Sequence, residues 1–132
     1  MKTLKIMSIL FIAFLIQDCE DPGKKQDFNF ELKNALNEDI FIHSEINSLV
    51  INSNFFPLKP NFFALTGQSY KQGIFIKNFE NGNKLWILVF KKSTLDAHTW
   101  QEIKDQGLYD KRYSFTLEEL KAINFQIIYD GN

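Results

Sequence analysis

Residues Leu85 to Phe90 read Leu-Trp-Ile-Leu-Val-Phe without one polar side chain, bracketed by Lys84 and Lys91. Six residues is strand length, and an apolar run with no polar face has to be covered from both sides. The fold must therefore place this strand in the centre of a sheet with a layer on each side.

Other segments show the period of half-buried strands. Phe28, Phe30 and Leu32 alternate with Asn29, Glu31 and Lys33, which predicts a first strand with one buried face. After the turn-rich stretch Asn34 to Asp39, Ile40-Phe41-Ile42-His43 suits a second strand and Leu49-Val50-Ile51 a third. Pro57 and Pro60 interrupt any long element between Asn52 and Gly73, leaving Phe62 to Leu65 as a brief edge strand. Asn81-Gly82 tolerates φ > 0 at both positions, so it predicts a type I′ hairpin pairing Ile74 to Phe79 with Leu85 to Phe90.

Two helix starts have a mechanism. Thr99-Trp100-Gln101-Glu102 and Thr116-Leu117-Glu118-Glu119 both fit the capping box, and Phe115 with Leu120 adds a hydrophobic staple to the second. Gly107 is expected to stop the first helix and Asn124 the second, before Phe125 to Tyr129 resumes strand character. The expected fold is mainly β, an antiparallel β-sandwich with one or two short helices near the C-terminus.

The N-terminus sets the expected location. A basic start with Lys2 and Lys5 precedes the apolar stretch Ile6 to Ile16, eleven residues broken only by Ser8, and Cys19 follows. As a helix that stretch spans roughly 16 Å, short of the ~30 Å hydrocarbon core, which suits a signal peptide and not a permanent span. Ile16-Gln17-Asp18-Cys19 resembles a bacterial lipoprotein signal, although Asp18 stands where a small residue is usual. The division is then residues 1–18 as lipoprotein signal peptide, 19–26 as tether and 27–132 as one sandwich domain, with Cys19 the lipidation site and the membrane a partner through the anchor. The tether, Glu20-Asp21-Pro22-Gly23-Lys24-Lys25-Gln26, has no large apolar residue. The lone cysteine closes no intramolecular disulfide and makes no Cys-rich zinc site.

Beyond residue 18 the chain has 13 basic and 15 acidic residues, nothing like the cationic excess of a nucleic-acid binder, so that partner is set aside. The sites where chemistry could sit read as structure. His43 and His98 lie in separate elements with no ligand spacing, His43 as a partly buried strand residue beside Phe41 and Glu45. Glu118 and Glu119, one apart on a helix, diverge by ~100° and serve the first turn. Gly67-Gln68-Ser69-Tyr70 lacks the second glycine of a nucleophile elbow. In Lys111-Arg112-Tyr113, Arg112 is expected to face outward and Tyr113 inward. No catalytic residue, metal ligand or cofactor is assigned, and the chain is expected not to be an enzyme.

Between Asn52 and Tyr70 lie two doubled aromatics, Phe55 with Phe56 and Phe62 with Phe63. Neighbours on an extended chain point to opposite faces, so both members of a pair cannot pack on one core face. Either this loop folds under its prolines and covers them, or these four residues form an exposed patch for a protein or a sugar ring.

From Asn34 onward, the order of features is similar to that of small uncharacterised envelope lipoproteins of the Bacteroidota. The resemblance is carried by Asn37-Glu38-Asp39-Ile40-Phe41-Ile42, Leu85 to Phe90, Trp100-Gln101-Glu102-Ile103, Lys111-Arg112-Tyr113, Thr116 to Leu120 and Asn124 to Tyr129. The chain departs from that pattern in having Phe125 and Asp130 where tryptophan and proline are usual. The resemblance implies an immunoglobulin-like sandwich in the cell envelope, on an outer-membrane lipoprotein, and transfers no catalytic residue. The expected role is a non-enzymatic binding module for protein or glycan; the alternative is a small secreted hydrolase or an enzyme inhibitor.

Overall fold

The computed structural model describes residues 26–47 and 62–132. The segments of period two divide between two sheets. β1 (Phe28–Asn34) is the middle of a three-stranded sheet, with β4 (Ser69–Ile74) antiparallel on one side and β7 (Gln126–Tyr129) parallel on the other. β2 (Ile40–Asn47), β3 (Phe62–Ala64), β5 (Lys84–Lys91) and β6 (Lys111–Phe115) make an antiparallel four-stranded sheet in the order β3-β2-β5-β6. The protein is mainly β, with the inner faces of the two sheets meeting in one core.

Alternation decides what each strand gives to that core. Phe30 and Leu32 of β1, Ile40 and Ile42 of β2, Tyr70 and Ile74 of β4 and Ile127 and Tyr129 of β7 point inward. β5 sends Leu85, Ile87 and Val89 to the same core and Leu88 and Phe90 to the opposite face. There α1 (Lys92–Ala97) and α2 (Trp100–Gln106) lie over the sheet, and Leu95, Trp100 and Ile103 close a second cluster around Leu88 and Phe90. The Trp100 ring meets Phe90 edge-on at 5.4 Å. The apolar run is thus covered as its composition demands, by a sheet on one side and helices on the other. Full burial of each such side chain stabilises by about 1.5–3 kcal/mol.

Both capping boxes form. Thr99 accepts from the Glu102 N–H while the Glu102 carboxylate accepts from the Thr99 N–H, and Thr116 with Glu119 repeats the pattern at the start of α3 (Leu117–Ala122). These bonds hold both carboxylates below their ordinary pKa. Gly107 caps α2 in the left-handed region at φ 65°. Phe115 and Leu120, the expected staple, both contribute to the main core.

Asn34 is buried and polar, and its bonds explain why the turn after β1 is where it is. Its amide nitrogen donates to the Glu38 carbonyl (2.8 Å) and the Ala64 carbonyl (3.0 Å), while its side-chain oxygen accepts from the Leu36 N–H (3.0 Å). One side chain thereby ties the β1–β2 turn to the end of β3.

Three expectations are corrected. The Asn81-Gly82 hairpin does not form: β4 ends at Ile74 and pairs with β1, residues Ile76–Gly82 form a 3₁₀ segment, and β5 pairs with β2 and β6. Asn81 (φ 61°) and Gly82 (φ 77°) do take positive φ, but as the turn of a connection between two sheets, which a two-residue hairpin cannot span. The sheets are not wholly antiparallel, because α3 carries the chain from β6 in one sheet into β7 in the other, parallel to β1. Among the described residues there are three short α-helices instead of one or two; α1 begins directly after β5 with no side-chain cap, so no capping residue marks its start in the sequence. The strand expected at Leu49 to Ile51 lies outside the described residues.

Candidate functional site

Phe62 and Phe63 sit on β3, three residues long, at the edge of the four-stranded sheet and paired, among the described residues, only with β2. Alternation sends them to opposite faces, as expected for a doubled aromatic. Phe63 points away from the core and is 60% exposed; its ring lies 6.4 Å from Phe41, its register partner on β2. Phe62 shares the inward face with Ala64 but, at the edge, stays 41% exposed. Phe55, Phe56 and Cys19 lie outside the described residues.

The inward side of this edge carries a polar group of residues that a strand-by-strand reading of the sequence missed. The Phe62 ring lies 5.0 Å from Tyr70, and Tyr70 meets Phe30 edge-on at 6.0 Å. The Tyr70 hydroxyl donates to the Gln72 side-chain oxygen at 2.7 Å, and the Ser44 hydroxyl donates to the same oxygen. Burial pushes the Tyr70 phenol above its ordinary pKa, against a smaller lowering by its hydrogen bond with Ser44. The signal was available: period two over Ser69–Ile74 puts Tyr70, Gln72 and Ile74 on one face, as it does Ile40, Ile42 and Ser44. That these two faces meet at the same end of the domain is a tertiary fact.

On the outer face of the four-stranded sheet, the Arg112 guanidinium lies 6.0 Å over the Trp86 ring, while Tyr113 packs against the main core. The outward arginine and inward tyrosine follow the expected alternation. His43 is half-buried on the same outer face, with Nε2 4.0 Å from the Glu45 carboxylate. Burial lowers its pKa, and Glu45 opposes that shift. His98 is exposed at the end of α1, in a separate element. Among the described residues no three His, Cys, Asp or Glu side chains come together as a metal-binding group.

Glu119 is spent in its capping box and Glu118 pairs with Lys121 at 2.9 Å, so the adjacent carboxylates serve the helix. A shallow depression of about 190 Å³, lined by Glu31, Lys33, Gln126, Ile127 and Ile128, lies on the three-stranded sheet away from the aromatic edge. Glu31 there is paired with Lys71 at 3.3 Å, and a Ser69 hydrogen bond, then Lys71, hold its carboxyl below the ordinary range.

No family model, curated protein or solved structure matches the chain.

Proposed function

We infer that the chain is a lipid-anchored, non-enzymatic binding module of the bacterial outer-membrane envelope, which meets a protein or glycan partner through the aromatic edge at β3. The observation that carries this reading is the exposure of Phe62 and Phe63 on the two faces of a three-residue edge strand, with Phe41 beside Phe63. Adjacent exposed aromatics at a sheet edge supply contact area at low entropy cost and suit recognition. The N-terminal signal and Cys19 place that edge outside the cytoplasm in this reading. The immunoglobulin-like comparison is drawn at the level of two face-packed sheets. In connectivity the chain departs from the ABED and CFG arrangement in its last strand: β7 lies parallel beside β1 in the three-stranded sheet and does not extend the sheet of β5 and β6.

Binding, turnover and acylation measurements test the reading. Full-length protein applied to an array of glycans and of purified envelope and host proteins should retain one class of ligand. The double variant Phe62→Ser/Phe63→Ser should lose that ligand while staying folded, at a stability cost of about 1 kcal/mol. Turnover of chromogenic ester, peptide or glycoside substrates that survives stringent purification would overturn it. For the anchor, Cys19→Ser should abolish fatty-acid labelling, and undiminished palmitate incorporation would refute lipidation at that residue.

A further inference from the structure

We propose that the inward half of the β3 edge is a subsite for a neutral sugar ring, with the exposed face of Phe62 as its stacking platform and the Gln72 side-chain amide as its hydrogen-bond donor. This rests on the reading of that edge as a binding surface and names the ligand class.

The argument begins with the Gln72 amide. Both the Ser44 and the Tyr70 hydroxyl converge on its carbonyl oxygen. That oxygen is therefore fully engaged, and the amide nitrogen lies on the other side of the group with two N–H donors. Among the described residues no acceptor takes them. The Ser44 oxygen keeps lone pairs to accept with, while that of Tyr70 also meets Ser44. Gln72 and Ser44 are only partly buried, so these groups are reached from solvent. One side of the amide is thus fixed by the fold, and the other presents donors in a set orientation.

Next to this group, Phe62 leans one face on Tyr70 and leaves the rest of the ring exposed. An aromatic face beside fixed donors and acceptors matches a pyranose, whose C–H face stacks and whose equatorial hydroxyls both give and take hydrogen bonds. Charge selects between sugars. The inward residues are Ile40, Ile42, Ser44 and Ile46 on β2, Phe62 and Ala64 on β3, and Tyr70, Gln72 and Ile74 on β4. None is ionic. A uronic acid would bring a carboxylate to a face with no cation among the described residues, at the full cost of desolvating it. A neutral hexose brings no such group.

The test is a titration of the full-length protein, held in a detergent without a sugar headgroup, with maltohexaose, cellohexaose and hexagalacturonate. The Gln72 side-chain amide is followed by NMR. At least one neutral hexamer should move that amide resonance, and hexagalacturonate should bind at least about tenfold more weakly. Gln72→Glu keeps an oxygen acceptor for both hydroxyls and removes the N–H donors, so its affinity should fall about tenfold, as should that of Phe62→Ala. Phe63→Ser, on the opposite face, should stay within about twofold of wild type.

The sugar assignment is overturned if neither neutral hexamer shifts the amide at about 10 mM. It is equally overturned if Gln72→Glu binds as wild type does, or if the uronate binds more tightly. A folded Phe63→Ser protein with no sugar response leaves the exposed edge to a protein partner. A Phe63→Ser protein that does not fold sinks the binding-edge reading itself, and the wild-type amide shift then decides the sugar question alone.

Discussion

β5 and β3 belong to the same four-stranded sheet and are both rich in large apolar residues, yet they are buried in opposite ways. β5 hides Leu85, Ile87, Leu88, Val89 and Phe90 completely, while β3 exposes both of its phenylalanines. Composition does not separate the two strands; neighbours do. β5 has β2 and β6 on its flanks, the three-stranded sheet beneath it and two helices above, so each alternate residue finds a covering surface. Among the described residues β3 has one flanking strand, and neither of its phenylalanines belongs to the cluster that the helices close. A large apolar residue is a core residue only where the topology brings a second layer over it, and where it does not, the same residue is surface available for recognition.

The largest effects that would break this comparison lie in β5. Ile87→Ala and Leu88→Ala, on opposite faces, should each lower unfolding free energy by about 3 kcal/mol in urea titrations. A Leu88→Ala loss well below that of Ile87→Ala would mean that the helices do not seal their side of the strand.

Asn34→Ala should come next, at about 2 kcal/mol, because it leaves the Glu38 and Ala64 carbonyls and the Leu36 N–H without their partner. A loss under about 0.5 kcal/mol would mean that the β1–β2 turn and the end of β3 hold without this clamp. Thr116→Ala should cost about 1 kcal/mol through the lost cap of α3, read from the same titration. No change would detach α3 from the account of why β7 lies parallel to β1.

Tyr129 sharpens the picture of the core itself. Its ring is buried, and its hydroxyl has no hydrogen-bond partner among the described residues. Tyr129→Phe should therefore stabilise by about 1 kcal/mol, and a loss would reveal a partner for the hydroxyl. Burial pushes this phenol up to about 12, from an ordinary value of 10.0. Between those values the unfolded chain has released a proton that the fold still holds, so stability falls as pH rises through that window. The phenylalanine variant should lack this part of the alkaline slope, measured by unfolding at about pH 9 and about pH 11.

The smallest effect belongs to the edge. Phe63→Ser should change stability by no more than about 0.5 kcal/mol, and Phe62→Ser by about 1 kcal/mol because it also loses the contact with Tyr70. A core-sized loss at Phe63 would end the contrast between the two strands.

The sequence by itself determined whatever is decided within a few residues along the chain. Phe30 and Leu32 had to share a face, Leu85 to Phe90 had to be covered twice, and Thr99 and Thr116 had to begin helices, because periodicity and capping act over one to four residues. Asn81 and Gly82 had to take positive φ for the same local reason. What strand follows that turn, and in which sheet, is a question of partners distant in sequence, and two-residue periodicity names a face without naming a partner. Tertiary structure alone placed β4 against β1 and β5 between β2 and β6. It also turned β7 parallel to β1 and laid two helices over Leu88 and Phe90. The candidate site shows the same division: the doubled phenylalanines were legible as residues that could not both be core. The meeting of Phe62 with Ser44, Tyr70 and Gln72 was not, since it needs two sheets to close on each other, and that closure is chosen by the summed burial of the whole core and not by any segment in it.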